Sequence, residues 1–335
     1  MTLTLIVLVV VLALVFDFIN GFHDTANSIA TVVSTGVLRP RTAVLMAATL
    51  DVTGALMGTK VASTIGKDIL DPNEVTQAIV LAALVGAIFW NLLTWWGGIP
   101  SSSSHALIGG LVGAGMTALG PGAVKAAGVE KVVTALIVSP VLGFLAAFFG
   151  MVATYWVLRR ARPAKVNHWA RRLQLVSSGF MALSHGTNDA QKSMGVITVA
   201  LLAYHGTGYD PAAKFHVPTW VILACALAMG AGTATGGWRI IKTVGTRIFK
   251  LRPIHGCVAE TSAAIVIQAA SYLALPVSTT HCITAAIMGA GATTRLSAVS
   301  WGVTRRILTA WMLTIPMTAG VAALVYTLMF RMGVR

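Results

Sequence analysis

The chain has 335 residues, 56% of them hydrophobic and only 10% charged, where soluble domains carry about 25% charged residues. With a mean hydropathy of +0.80, this excludes an ordinary soluble domain and reads as an integral membrane protein. The net charge of +14 does not point to nucleic acid, because the basic residues sit in short stretches between apolar runs, where cytoplasmic loops of membrane proteins carry them.

Ten apolar segments follow in chain order, at about 2–34, 41–63, 75–96, 103–120, 131–158, 173–204, 217–237, 256–275, 280–294 and 306–331. Thr2–Phe16 lacks the charged start of a signal peptide and runs straight into a polar motif, so it is expected to stay as a span. Arg39 and Arg41, the cluster from Arg159 to Arg172, the cluster from Arg239 to Arg252, and Arg295, Arg305 and Arg306 are expected on the cytoplasmic side. The stretches 64–74 and 205–216 are expected outside. Threading the segments under these constraints puts both termini outside and gives each half five segments, so the halves run in opposite directions. The expected fold is an all-α integral membrane protein with two inverted five-segment repeats, discontinuous helices, and re-entrant hairpins as one form the short segments can take. The first repeat spans 1–158, a cytoplasmic basic linker 159–172, and the second repeat 173–335.

Three motifs recur in the same order. Gly21, Asp24 and Ser28 in GFHDTANSIA match Gly186, Asp189 and Ser193 in HGTNDAQKSM. MGTKVASTIG at 57–66 matches GGWRIIKTVG at 236–245, and Pro100, Ser102 and His105 match Pro276, Ser278 and His281. Inverted repeats are common in secondary transporters, with the substrate site near the midplane where they meet.

An ionisable group in hydrocarbon costs at least about 2.5–3.5 kcal/mol, so it faces a cavity, a partner or an ion. One buried Asp reads equally well as a helix-to-helix hydrogen bond. Two duplicated clusters, around Asp24 and Asp189, favour a site. Gly21 and Gly186 are expected to let the helices break there and free carbonyls for cations. The Pro-Ser/Thr starts at 99–110 and 275–286 offer hydroxyls and free N–H groups to an anion, although either alone is ordinary capping. Carboxylates for a cation beside helix starts for an anion suit cation-driven anion transport. Asp17, Asp24, Asp51, Asp189, Glu260, His105 and His281 are the candidate proton carriers. Asp17 lies seven residues before Asp24, hence on the same face of a continuous helix. Cys225, Cys257 and Cys282 form no CxxC and are expected unbridged.

NGFHDTANSIATVV and SHGTNDAQKSMGVI, with PSSSSH and PVSTTH, resemble the inorganic phosphate transporter (PiT) family, specifically its bacterial low-affinity branch, over nearly the whole chain. The resemblance implies secondary uptake of inorganic phosphate across the inner (plasma) membrane, with protons or sodium as coupling ion, no cofactor, and in some members a divalent metal carried with the phosphate. It places phosphate at Ser102, Ser103, Ser104, Ser278, Thr279, Thr280 and Asn188. It places cation and phosphate-site residues at Asp24, Asn27, Asn188 and Asp189; the residues themselves add His23, Gln191, Lys192 and, from the eighth segment, Glu260 as coupling candidates. Beside phosphate and the lipid bilayer, a homodimer is the assembly to test. One departure matters: Lys192 stands where the first motif has Asn27, and His23 where the second has Asn188. The expectation is that the Lys192 ammonium replaces one sodium and that coupling is to protons; the competing reading is that Lys192 snorkels away and only packs. Sodium-coupled phosphate symport and proton-coupled sulfate transport are the alternatives. An intramembrane hydrolase using Ser, His and Asp is a reading of another class, weakened by the lack of GxSxG or HExxH.

Overall fold

The computed structural model describes residues 3–206, 209–210 and 215–334, and no β-strand occurs among them. The first half holds α1 (Leu3–Ser34), α2 (Pro40–Ala55), α3 (Lys60–Lys67), α4 (Gln77–Gly97), α5 (Ser103–Leu119) and α6 (Ala126–Leu158). The second holds α7 (Pro163–His205), α8 (Thr219–Thr235), α9 (Trp238–Lys242), α10 (Pro253–Tyr272), α11 (Thr279–Ala292) and α12 (Trp301–Arg331). The helices pack crosswise between the halves. α1 lies on α8 as α7 lies on α2, α5 is held between α4 and α12, and α11 is held between α10 and α6.

The polarity is that of a molecule whose solvent is hydrocarbon. α6 and α12 expose large apolar side chains such as Ile137, Phe149, Trp156, Leu308, Met312 and Leu324, while Asp17, Asp24, Asp51, Asp189, Lys192 and Glu260 are enclosed. Four helices (α1, α4, α6 and α12) are long and apolar enough to cross a membrane, or six spans if each bent pair counts as one. α5 and α11, with 17 and 14 residues, fall short of a full crossing. This short pair, for which the sequence left re-entrant hairpins open, sits inside the bundle, sheathed by α12 and α6. The expected outer stretch 205–216 lies partly outside the described residues, as do both chain termini.

One expectation is corrected. α1 and α7 run unbroken through the Asp motifs. The breaks instead fall between α2 and α3, with a bend of 70°, and between α8 and the helical stretch from Trp238 to Arg247, with a bend of 60°. These are the sites of the matched segments at 57–66 and 236–245. Gly21 and Gly186 are there for close approach rather than turning. A Cβ on Gly21 would sit 2.2 Å from the Met229 carbonyl oxygen, and one on Gly186 would sit 2.1 Å from that of Asp51. Small residues let helix backbones touch in this way. Within the basic stretch 159–172, α7 starts at Pro163, so the residues from there to Arg172 are helix and 159–162 connect α6 to α7.

Gly21→Val and Gly186→Val are expected to lower the thermal unfolding midpoint of the detergent-solubilised protein, each costing about 1–3 kcal/mol by overpacking. Gly320→Ala, whose added methyl meets nothing within 4 Å, is expected to leave the midpoint unchanged.

Candidate functional site

α1 presents Asp17, Asn20, Asp24, Asn27 and Thr31 at spacings of three and four residues, which puts them on one face. All five are buried. α7 presents His185, Asp189 and Lys192 by the same rule, and all three are fully enclosed. Where the two faces meet, a carboxylate oxygen from each of Asp24 and Asp189 and a ring nitrogen of His185 lie within 4.8 Å of one another.

The starts of α5 and α11 close this meeting point. Ser102 and Ser278 are the caps: each hydroxyl accepts from the backbone N–H three residues on, at 3.2 Å. The next hydroxyls turn to the carboxylates. Ser103 Oγ donates to Asn20 Oδ1 at 2.6 Å and approaches Asp24 Oδ2 at 3.1 Å. Thr280 donates to Asp24 Oδ1 and Thr279 to Asp189 Oδ2, both at 3.1 Å. Asn27 Nδ2 donates to Thr280 at 2.9 Å and Thr279 at 3.3 Å. Ser104 Oγ donates to the Val277 carbonyl at 2.9 Å, and the His105 and His281 rings lie 4.5 Å apart. The two helix starts, with their free N–H groups and positive dipole ends, thus come together.

Lys192 does not snorkel. Its ammonium donates to Asp189 Oδ1 at 2.6 Å, to Ser104 Oγ, and to the Val277 carbonyl at 3.3 Å. Carboxylate, hydroxyl and carbonyl are the oxygen types that bind a hard cation, and here they hold a fixed one.

Other expected residues support the cluster rather than join it. His23 Nδ1 lies 2.8 Å from Asp24 Oδ1, and its Nε2 lies 3.2 Å from Thr94 Oγ1, which fastens the turn before α5. Asn188 does the corresponding work before α11: it donates to Ser271 at 2.8 Å and to the Leu275 carbonyl at 3.2 Å, and accepts from Val277 N–H at 3.3 Å. Its amide is turned to that loop. Gln191 sits away from the carboxylates. Its Oε1 accepts from Val61 N–H at 2.7 Å and Ala62 N–H at 3.3 Å, and its Nε2 donates to the Thr187 carbonyl at 2.6 Å. It caps α3 just after the bend. Glu260 on α10 is also separate, receiving hydrogen bonds from Thr31, Ser177 and Gln174.

His185 and Asn20 were missed as site residues. His185 Nδ1 lies 3.0 Å from Asp51 Oδ1 and its Nε2 lies 3.5 Å from Asp189 Oδ2. Thr233 donates to Asp51 at 2.7 Å. The signal was available: His185 is one turn before Asp189, at the position that Asn20 takes before Asp24.

A family model described as "Phosphate transporter family" matches residues 20–165 and 159–322. The chain belongs to the phosphate transporter family. It is 48% identical over 328 residues to a Bacillus subtilis (strain 168) protein called "Probable low-affinity inorganic phosphate transporter", covering 97% of each chain. A Rhizobium meliloti (strain 1021) protein of the same description is 48% identical over 323 residues, covering 96% of each. Among solved structures, one described as "The sodium-dependent phosphate transporter" matches with a TM-score of 0.88 at 26% identity, over 98% of this chain and 99% of that one. These are transporters and not enzymes, which removes the hydrolase reading, and the family with these apolar helices makes this a membrane protein.

Lys192→Met and Asp189→Asn are each expected to destabilise the protein by about 3–5 kcal/mol, because each strands a buried partner. The double variant is expected to recover part of that loss in a double-mutant cycle of thermal unfolding.

Proposed function

We propose that this chain imports inorganic phosphate across the cell (inner) membrane by proton symport, through alternating access of one site between its two halves. The family and its relatives support phosphate as cargo. The observation that carries proton coupling is Lys192: its ammonium already fills an oxygen cage against Asp189, so a mobile cation is not needed there. Phosphate would approach Ser103, Ser104, Thr279 and Thr280 at the two helix starts, where N–H dipoles and Lys192 offset its charge. Asp24 is the carboxylate without a lysine. Protonating it removes a charge that opposes phosphate, and turns one acceptor into a donor. By linkage, proton and phosphate then tighten each other. A carboxylate in the site also accepts the proton that phosphate carries at neutral pH; sulfate has none to give, which favours phosphate over sulfate.

The exchanged packing supports two opposed halves, 1–158 and 173–335, with α1 and α7 meeting at the site; both termini outside is the orientation that the basic stretches favour. A second reading has its own observation. The Asp24, His185 and Asp189 ligand atoms stand close enough to share a divalent metal, so a metal–phosphate complex is the alternative cargo. Sodium coupling is the rival suggested by the description of the solved relative.

Radiolabelled phosphate uptake into proteoliposomes tests the proposal. An inward proton gradient alone is expected to drive accumulation in the wild type, with no competition from sulfate. Lys192→Asn is expected to make uptake depend on sodium. Sodium-dependent wild-type uptake, or unchanged ion selectivity in Lys192→Asn, refutes the proton assignment.

A further inference from the structure

Asp17 has no role in the cluster described above, and among the described residues it makes no ion pair. It is fully buried, and neither carboxyl oxygen has a hydrogen-bond partner. The polar side chains facing it are Ser193 on α7, whose hydroxyl is itself unpartnered, and Cys225 on α8. The charged groups near enough to act on it are Asp189 and Lys192. α4, also packed on α1, carries no ionisable side chain from Gln77 to Gly97.

Glu260 makes the contrast. Thr31, seven residues after Asp24, donates to Glu260; Asp17 lies seven residues before Asp24. At helical rise, the two levels sit about 10.5 Å on either side of Asp24. Glu260 is held by donors from Thr31, Ser177 and Gln174. Asp17 faces only the Ser193 hydroxyl and the Cys225 thiol and touches no cation, so its charge is poorly compensated there. A metal or alkali ion does not fit, since hard cations need about six oxygens and one carboxyl, one hydroxyl and a thiol fall far short. Between Asp17 and Asp24 stands Asn20, whose Nδ2 is also without a partner.

We propose that Asp17 is the proton-loading residue of the transport cycle, charged from the side at the N-terminal end of α1 and discharging along the Asp17–Asn20–Asp24 face. This rests on the reading of the chain as a proton-coupled phosphate carrier. The transfer balances: the Asp17 carboxylic acid gives its proton to water admitted as the helices move, and the Asp24 carboxylate takes one up. Asp17 then recovers a proton when the half of the molecule around it opens to water. That condition ties reloading to one face of the membrane.

The test uses the full chain in proteoliposomes with an entrapped pH dye and radiolabelled phosphate. In Asp17→Asn, gradient-driven phosphate accumulation and proton entry are expected to fall about tenfold or more, the range of a coupling free energy. Phosphate-for-phosphate exchange at equal pH is expected to change less than about twofold, because Asp17 touches no hydroxyl of the α5 and α11 starts. Asp17→Glu, which keeps a carboxyl, is expected to retain coupling. Equal proton entry per phosphate in Asp17→Asn and wild type overturns the assignment while leaving the carrier reading intact. Wild-type uptake indifferent to a proton gradient overturns both. Should Asp17→Asn fail to fold, infrared spectroscopy decides: a protonated-carboxyl stretch that shifts in Asp17→Glu and responds to phosphate supports the role, and its absence refutes it.

Discussion

Two carboxylates held out of water, Asp24 and Asp189, set the terms for the rest of the structure. Each buried charge needs partners, and the chain supplies them from four helices. α7 provides Lys192 and α5 provides Ser103. α11 provides Thr279 and Thr280, while His23 stands beside Asp24 on α1. None of these is local to both carboxylates. The interior is therefore assembled by polar contacts, while apolar side chains are left to face outward. Lipid offers no hydrophobic drive to gather such helices, so close packing and these hydrogen bonds must do it.

The price of gathering them is paid in side-chain size. For the α1 and α7 faces to meet, their backs must approach α8 and α2 within reach of a carbonyl oxygen, which only glycine allows at Gly21 and Gly186. The short helices face the same demand: a Cβ on Gly110 would lie 2.5 Å from the Ala83 carbonyl, and one on Gly289 would lie 2.2 Å from that of Phe144. Glycine-rich α5 and α11 can then sit inside the bundle, sheathed by α12 and α6, with their starts aimed at the carboxylates. Each sheath helix carries an internal proline, Pro140 or Pro316, at the same offset that separates Pro100 from Pro276.

Much of the site was legible as linear motifs because its residues come in short runs whose helical spacing alone puts them on one face. Asp24 with Asn27, Asp189 with Lys192, and the hydroxyls after Pro100 and Pro276 needed no tertiary information. What escaped depends on partners remote in sequence. A glycine that breaks a helix and one that admits a neighbour look alike until the neighbour is known, so Gly21 and Gly186 were misread and the bends were sought in the wrong segments. Gln191 reads as a site amide from its motif, but its partners are the N–H groups of Val61 and Ala62, which are freed only because the chain bends before α3. His185 was passed over because its partner, Asp51, lies on another helix with no motif of its own.

The two motifs are related but not equal, and the difference has a direction. On α7, Asp189 is paired with the Lys192 ammonium, and Gln191 and Asn188 hold the α3 start and the α11 loop. On α1, Asp24 has only an imidazole and hydroxyls, and Asp17 stands two turns away beside a hydroxyl and a thiol. Unpartnered polar atoms occur on both helices, Asn27 Oδ1 and Ser28 Oγ on α1 and Ser184 Oγ and Ser193 Oγ on α7, so the difference between the helices lies in their carboxylates: one holds a fixed cation and the other does not. That contrast is why the proposed proton step is put on α1, on the polar face running from Asp17 through Asp24 to Thr31.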